Sequence, residues 1–223
     1  MTTIRVELHC HTYFSKDSLI DPEALLVLCR TRGIDRIAIT DHNAIDGALL
    51  AAEIDPRRVI ISEEIITTQG ELLAYYVKQH VPPGLPPMEA IARLREQGAV
   101  ISIAHPFDVR RSGAWKINHL AAILGHVDAI EVFNGRSWSQ SANRSAASLA
   151  EEHQLLQTAG SDAHGYMEVG RTYLELAPFN GPDEFRVSLR HSRIRRHRSS
   201  ALVHIISRYA TLRKKLGWKP PVK

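Results

Sequence analysis

A chain of 223 residues, 44% hydrophobic and 23% charged, can build one domain with a substantial core plus an appendage. That composition excludes a tandem of large domains, a disordered chain and a disulfide-held mini-scaffold. The net charge of +4 hides an asymmetry: all 24 acidic residues lie at or before Glu184, while 12 of the 28 Lys and Arg follow it, leaving a body of −8 and a tail of +12. The two cysteines, Cys10 and Cys29, fit a reducing cytoplasm. No leader pattern opens the sequence, and no run approaches the ~18 apolar residues of a spanning helix.

Taken in chain order, short β-branched runs alternate with amphipathic stretches. Residues 4–9, 36–41, 59–64, 72–78, 99–105, 129–134, 156–162 and 172–176 read as strands, several apolar enough to be buried on both faces. Asp21-Pro22-Glu23 opens a first helix that Gly33 closes, Pro86-Pro87-Met88-Glu89 opens a second ended by Gly98, and Ser137–His153 reads as a third. Repeated strand–helix units without internal repeats predict an α/β fold, either a barrel or an open parallel sheet.

The chemistry collects where strands end. His9 and His11 follow the first, Asp41-His42 the second, Glu63-Glu64 the third, His105 the fifth, and Asp162 with His164 the seventh. In a closed α/β barrel such residues converge on one face, which favours a barrel over an open sheet. Singly, His9-Cys10-His11 is an ordinary edge pattern, and Asp41-His42 and Ser161-Asp162-Ala163-His164 are ordinary caps or turns. Together they specify a metal site. Imidazoles mixed with carboxylates and no thiolate suit Mn²⁺, Zn²⁺ or Fe²⁺, and so many donors suit two or three ions sharing a carboxylate.

His-Cys-His-Thr at 9–12, Ile-Thr-Asp-His-Asn at 39–43, Glu-Glu-Ile at 63–65, Ala-His-Pro at 104–106 and Gly-Ser-Asp-Ala-His at 160–164 resemble, in order and spacing, the motifs of the polymerase and histidinol phosphatase (PHP) family. The resemblance runs from about residue 4 to about residue 190. It implies a distorted, TIM-like (β/α)7 barrel at 1–190, with 191–223 as a basic C-terminal helical tail. It also implies a centre of two or three divalent metals (Mn, Zn or Fe) and phosphoester hydrolysis. Position by position, it makes His9, His11 and Asp162 ligands of a first metal, Glu64 the bridging carboxylate in preference to Glu63, and His42, His164 and Asp17 ligands of a second. His105 matches a ligand of a third. Two departures stand out. Lys16 occupies the usual aspartate position, with Asp17 one further on, and the strand after the glutamate lacks a histidine, so that either Glu71 substitutes or the third site is weak.

On this reading a hydroxide bridging two metals attacks phosphorus while a guanidinium holds phosphate oxygens. Arg136, just after Asn134 at a strand end, is the first candidate, followed by Arg110, Arg111 and Arg171. Asp41 either orients an imidazole or serves the leaving group as an acid. The Lys78–Pro87 and Val109–Asn118 segments are candidate substrate loops. In the tail, Ser199-Ser200 caps a helix whose Leu202, Ile205, Ile206, Tyr209, Leu212 and Leu216 form an apolar stripe among basic residues. Its roles range from packing on the barrel to contact with RNA, an anionic membrane surface or a partner subunit. The favoured function is hydrolysis of a small phosphate monoester or nucleotide. The alternatives are a 5′-3′ exonuclease on short RNA or DNA, held by the basic tail, and a non-catalytic metal-binding accessory module.

Overall fold

The computed structural model describes residues 2–111 and 113–220, so Ser112 of the Val109–Asn118 loop and Lys223 of the tail lie outside the described residues. In chain order the elements are β1 (Ile4–Cys10), α1 (Pro22–Arg32), β2 (Arg36–Ile39), α2 (Asp46–Ile54), β3 (Val59–Ile66), β4 (Glu71–Tyr75), α3 (Pro87–Glu96) and β5 (Val100–Ile103). They continue with α4 (Ile117–Ile123), β6 (Ala129–Asn134), α5 (Gln140–Glu152), β7 (Leu156–Gly160), β8 (Tyr173–Leu176), α6 (Pro182–Leu189), β9 (Arg193–Arg195) and α7 (Val203–Lys215).

Local signals act where the sequence places them. The Asp21 carboxylate accepts from the Glu23 and Ala24 amides at 2.8 and 3.2 Å, and Gly33 closes α1 in the left-handed conformation at φ 67°. Ser139 caps α5. The short β9 continues the sheet beyond residue 190 by pairing with β8. Its three residues, Arg-Ile-Arg, are too few and too basic to announce a strand.

The strands form one sheet in the order β7-β6-β5-β4-β3-β2-β1-β8-β9. β1, β2 and β3 run parallel, as do β5, β6 and β7, whereas β4 is antiparallel to both its neighbours and β8 is antiparallel to β1. The sheet nearly closes where the end of β7 meets β1. The His11 amide donates to the Ala163 carbonyl at 2.9 Å, and the Ala163 amide donates back to that of His9 at 3.3 Å. A Cβ on Gly160 would sit 2.2 Å from the His9 Cβ, so this seam requires the glycine of Gly-Ser-Asp-Ala-His.

The closed sheet sorts apolar residues into layers. Val6, Leu8, Ala38, Ile60, Leu73 and Tyr75 fill the barrel, floored by Phe179, Phe185 and Leu189. Ile65, Leu72, Ala74, Ile101, Ile103 and Ile130 face outward beneath α3, α4 and α5, and Ile37 and Ile39 face α1 and α2. β1 changes face midway, with Val6 and Leu8 in the barrel but Cys10 in the layer under α1 and α2. Its pairing with β2 shifts register between Glu7 and Cys10. Such a bulge re-aims the side chains after it, and it turns His9 and His11 inward.

Candidate metal centre

At the C-terminal ends of the parallel strands, His9, His11, His42, Glu64, Glu71, His105, Asp162 and His164 form overlapping groups whose donor atoms lie within 4.8 Å of one another. Several of these residues sit just past their strands rather than in them. The chain turns at that point through unusual backbone, with Asn43 at φ 54°, His105 at φ 24° and Asp162 at φ 56°. Strained positions of this kind persist only where surrounding contacts over-determine them. Glu71 comes from the opposite sequence direction. Because β4 is antiparallel, its first residue pairs with Ile66 and stands at the same end of the barrel as Glu64.

The tightest grouping is His9, His11, Glu64 and Asp162. His9 Nε2 lies 3.3 Å from Glu64 Oε2 and 3.5 Å from Asp162 Oδ1; for His11 Nε2 the corresponding distances are 3.4 and 3.2 Å. Neighbouring ligand atoms around an ion held at about 2.1 Å are spaced by roughly 3.0–3.4 Å, so these gaps are those of a coordination polyhedron. His11 Nε2 and Asp162 Oδ1 are buried with no hydrogen-bond partner. Unsatisfied buried donors and acceptors of this kind fit a cation between them. Beside this group, Asp17 Oδ2 lies 3.4 Å from His164 Nε2 and 3.7 Å from His42 Nε2. On the other side, His105 Nε2 lies 2.8 Å from Glu64 Oε1 and 3.7 Å from Glu71 Oε2. Glu64 thus touches all three groupings through its two oxygens, since His42 Nδ1 is 3.0 Å from Oε2. Glu63 points elsewhere, to His80 Nδ1 at 2.6 Å and the Val81 amide at 3.2 Å.

Three of the rings are oriented by their outer nitrogen. His9 Nδ1 pairs with Glu131 at 2.8 Å, His11 Nδ1 with Ser15 Oγ at 3.1 Å, and His164 Nδ1 with the Asp162 carbonyl at 2.9 Å. Such partners fix the tautomer that presents Nε2 to the cluster. Glu131 also accepts from the His105 amide at 2.9 Å and the Asn134 amide group at 3.1 Å. The motifs do not single out Glu131, but an acid within the otherwise apolar run Ala-Ile-Glu-Val-Phe is the signal that could have found it.

Charge balance follows from these contacts. Burial alone would lower the His9 imidazole, yet Asp162, Glu131 and Glu64 outweigh it and raise it well above its usual value. His11 is lowered by burial and by the neighbouring His164 and His42. Against burial, His9 and His42 hold Glu64 low, and Arg111 and His9 hold Asp162 low. Glu71 is raised by burial and by Glu64. Glu64 and Asp162 are thus ionised among imidazoles, the arrangement in which a divalent cation replaces protons.

Arg136, Asn134 and Asp41 hold different places relative to the cluster. Arg136 is buried and does not face the cluster. It donates to the Val203 carbonyl at 3.0 Å and Ser207 Oγ at 2.8 Å, and stands 3.5 Å from Glu168, anchoring α7. Arg111 reaches the cluster, with Nη2 2.5 Å from Asp162 Oδ2 and 3.2 Å from Asn134 Oδ1. Arg110 instead stacks on Trp138, and Arg171 contacts His197. Asn134 donates to Asp162 Oδ2 at 3.2 Å, which places it behind the donor atoms. Asp41 is fully buried and accepts from the Thr12 amide and Ser15 Oγ, each at 2.6 Å. Ser15 Oγ in turn accepts from His11 Nδ1 and from the His42 backbone amide, so Asp41 reaches the His11 imidazole and the turn that carries His42 through one hydroxyl. That is the geometry of an orienting group.

A cleft of about 500 Å³ opens beside the cluster, lined by Phe14, Lys16, Asp17, Glu71, Arg111 and Lys214 among others. Lys214 comes from α7. Its ammonium donates to the Tyr13 carbonyl at 2.5 Å and to that of Ser15, bracing the loop that carries Asp17. At the start of α7 Leu202 holds the cap position without a side-chain bond, and Ser200 Oγ accepts from the Leu202 amide at 3.3 Å in the turn that leads into the helix.

Fold and donor set together define a metal-dependent hydrolase on a TIM-like barrel. The chain belongs to the PHP family: a PHP domain matches residues 7–78 and a PHP-associated region residues 140–194. It is 38% identical over 181 residues to the uncharacterized protein MJ0417 of Methanocaldococcus jannaschii, covering 79% of this chain and 72% of that one. The fold is similar to that of a two-domain protein containing a predicted PHP-like metal-dependent phosphoesterase from Bacteroides vulgatus, with a TM-score of 0.72 at 20% identity. That match covers 88% of this chain but only 65% of the other. It is also similar to the lesion-specific endonuclease PfuEndoQ of Pyrococcus furiosus, with a TM-score of 0.60 at 15% identity over 86% of this chain and 58% of that one.

Proposed function

We propose that this protein is a metal-dependent phosphoesterase acting on a small phosphate monoester or a nucleotide. The observation that carries the reading is the polyhedral spacing of His9, His11, Glu64 and Asp162 around two unsatisfied buried donor atoms. These four would hold a first divalent ion. His42, His164 and Asp17 would hold a second, and His105 with Glu71 a third, Glu64 being shared among them. When bound, such ions supply Lewis-acid polarisation of phosphoryl oxygens and a nucleophile derived from water near neutral pH.

The chain's own residues do the rest. Arg111, on the rim of the cleft, is held through Nη2 by Asp162 and Asn134 and through Nε by Asp108, which leaves Nη1 to donate to a phosphoryl oxygen. Asn134 and Arg111 occupy Asp162 Oδ2, which leaves Oδ1 for the cluster. Glu131 and the Asp41–Ser15 pair keep His9 and His11 in their ligating tautomers. Lys16 and Lys214 add positive potential to the cleft, which attracts a dianionic ester. A cleft of about 500 Å³ suits a small ester better than a polynucleotide. The nuclease reading keeps the support of the basic tail and of the endonuclease among proteins of similar fold.

The deciding experiment is phosphate release from sugar phosphates, histidinol phosphate, mononucleotides and 5′-phosphorylated oligonucleotides, with Mn²⁺ or chelator, against His11→Ala. Mn²⁺-dependent turnover of a small ester, absent in the variant, is the expected result. Turnover confined to oligonucleotides would replace it with the nuclease reading, and no turnover by metal-loaded protein would favour an accessory module.

A further inference from the structure

We propose that the outward face of α7 is a docking surface for an anionic lipid bilayer. Toward the barrel the helix presents Val203, Ser207, Ala210 and Lys214: Val203 and Ala210 are buried, while the Val203 carbonyl and Ser207 receive Arg136 and Lys214 grips the loop after β1. On the opposite side Leu202, Ile205, Tyr209, Leu212 and Leu216 are 54–76% exposed. Their spacing of three and four residues keeps them in one continuous stripe. At 100° per residue, Arg208 and Lys215 flank that stripe on one edge and Arg213 on the other, all three exposed. No acidic residue follows Glu184, so nothing on the helix neutralises these cations.

Charge decides the occupant. A second copy of the chain would bring an identical apolar stripe, but with the same cations and no counter-charge, so pairing two such helices sets like charges together. A nucleic acid would satisfy the cations and leave four large aliphatic side chains facing phosphates and water. An anionic bilayer accepts both features at once, with the aliphatic side chains and Tyr209 at the acyl boundary and the guanidinium and ammonium groups among headgroups. The acidic body, repelled by the same surface, would orient α7 toward it. The opposite face of the helix braces the rim of the metal cleft, so docking would hold that cleft near the membrane.

The full-length protein is centrifuged with vesicles of phosphatidylcholine alone and with vesicles of equal parts phosphatidylcholine and phosphatidylglycerol. Binding to the anionic vesicles only, weakened by salt, is expected. Ile205→Ser/Leu212→Ser, and separately Arg208→Gln/Arg213→Gln/Lys215→Gln, should each weaken it at least about tenfold. Both sets change exposed side chains, and an unchanged thermal melt verifies the fold; should the apolar variant melt early, the charge variant carries the test. Equal binding to both vesicles, or none to either, overturns the proposal. So does a dimer of lipid-free protein that Ile205→Ser/Leu212→Ser abolishes, or oligonucleotide binding through α7 without vesicle binding.

Discussion

Asp162 shows how one carboxylate is divided between support and function. Its Oδ2 is held by Arg111 and Asn134, while Oδ1 is left without a hydrogen bond among three imidazoles. Arg111→Gln should therefore lower kcat/KM by about 100-fold, and Arg111→Lys should restore only part of it, because an ammonium lacks the fork. Arg136→Gln belongs to a different class. It leaves buried Glu168 unpaired and frees α7, so calorimetry should show a loss of about 1–3 kcal/mol. Gly47 is a third case at this scale, since a Cβ there would sit 2.2 Å from Asp41 Oδ2 and 2.4 Å from Thr12 Oγ1. Gly47→Ala should destabilise by about 1–3 kcal/mol and disturb the Asp41–Ser15–His11 linkage, read as lowered metal content at unchanged secondary structure. The ligating residue types were legible at this scale because each motif lies within a few residues. Arg111 and Arg136 both follow strand ends, and their local sequences do not tell them apart; long-range packing does.

Among the elements, α7 changes most between sequence and structure. Its periodicity sets Leu202, Ile205, Ile206, Tyr209, Leu212 and Leu216 in one stripe, yet the barrel takes the Val203, Ser207, Ala210 and Lys214 face, with only Ile206 of the stripe half-buried beside it. That seat includes His204, whose ring stacks on Trp138 at 4.0 Å between centroids. Burial, then Arg136 and Arg111, lower its imidazole to about 4. Since the folded value lies below the unfolded one, neutral His204 favours the docked helix. This contribution is complete above about 6.5 and is lost as pH falls through about 4. Imidazole NMR of the intact protein should give a midpoint near 4, and a midpoint near 6.5 would refute the docked, stacked ring. β1 and β4 teach the same point. Alternation identifies both as strands, but the bulge that turns His9 inward and the antiparallel setting that brings Glu71 to the cluster are properties of pairing.

For the molecule as a whole, the barrel concentrates carboxylates and imidazoles from six strands at one end, with His11 Nε2 and Asp162 Oδ1 among them left without a hydrogen bond. Chelation should therefore lower the melting temperature as well as abolish turnover. At metal 100-fold above its dissociation constant the linkage is worth about 2.7 kcal/mol, or on the order of 5–10 °C for a chain of this size. Absence of any shift on EDTA treatment, in protein first shown to contain metal, would remove the centre from the stability account. Among the described residues no helix is long and apolar enough to cross a membrane. The strand–helix alternation and the gathering of histidines and acids at strand ends are legible in the chain, because hydrophobic period, capping and motif spacing are short-range. Which arginine faces the cluster, that Glu131 and Ser15 pair with the outer nitrogens of His9 and His11, and which face of α7 is buried become visible only once the barrel is assembled. Those outcomes depend on barrel closure, which brings residues more than a hundred positions apart, such as His9 and Glu131, within hydrogen-bonding distance.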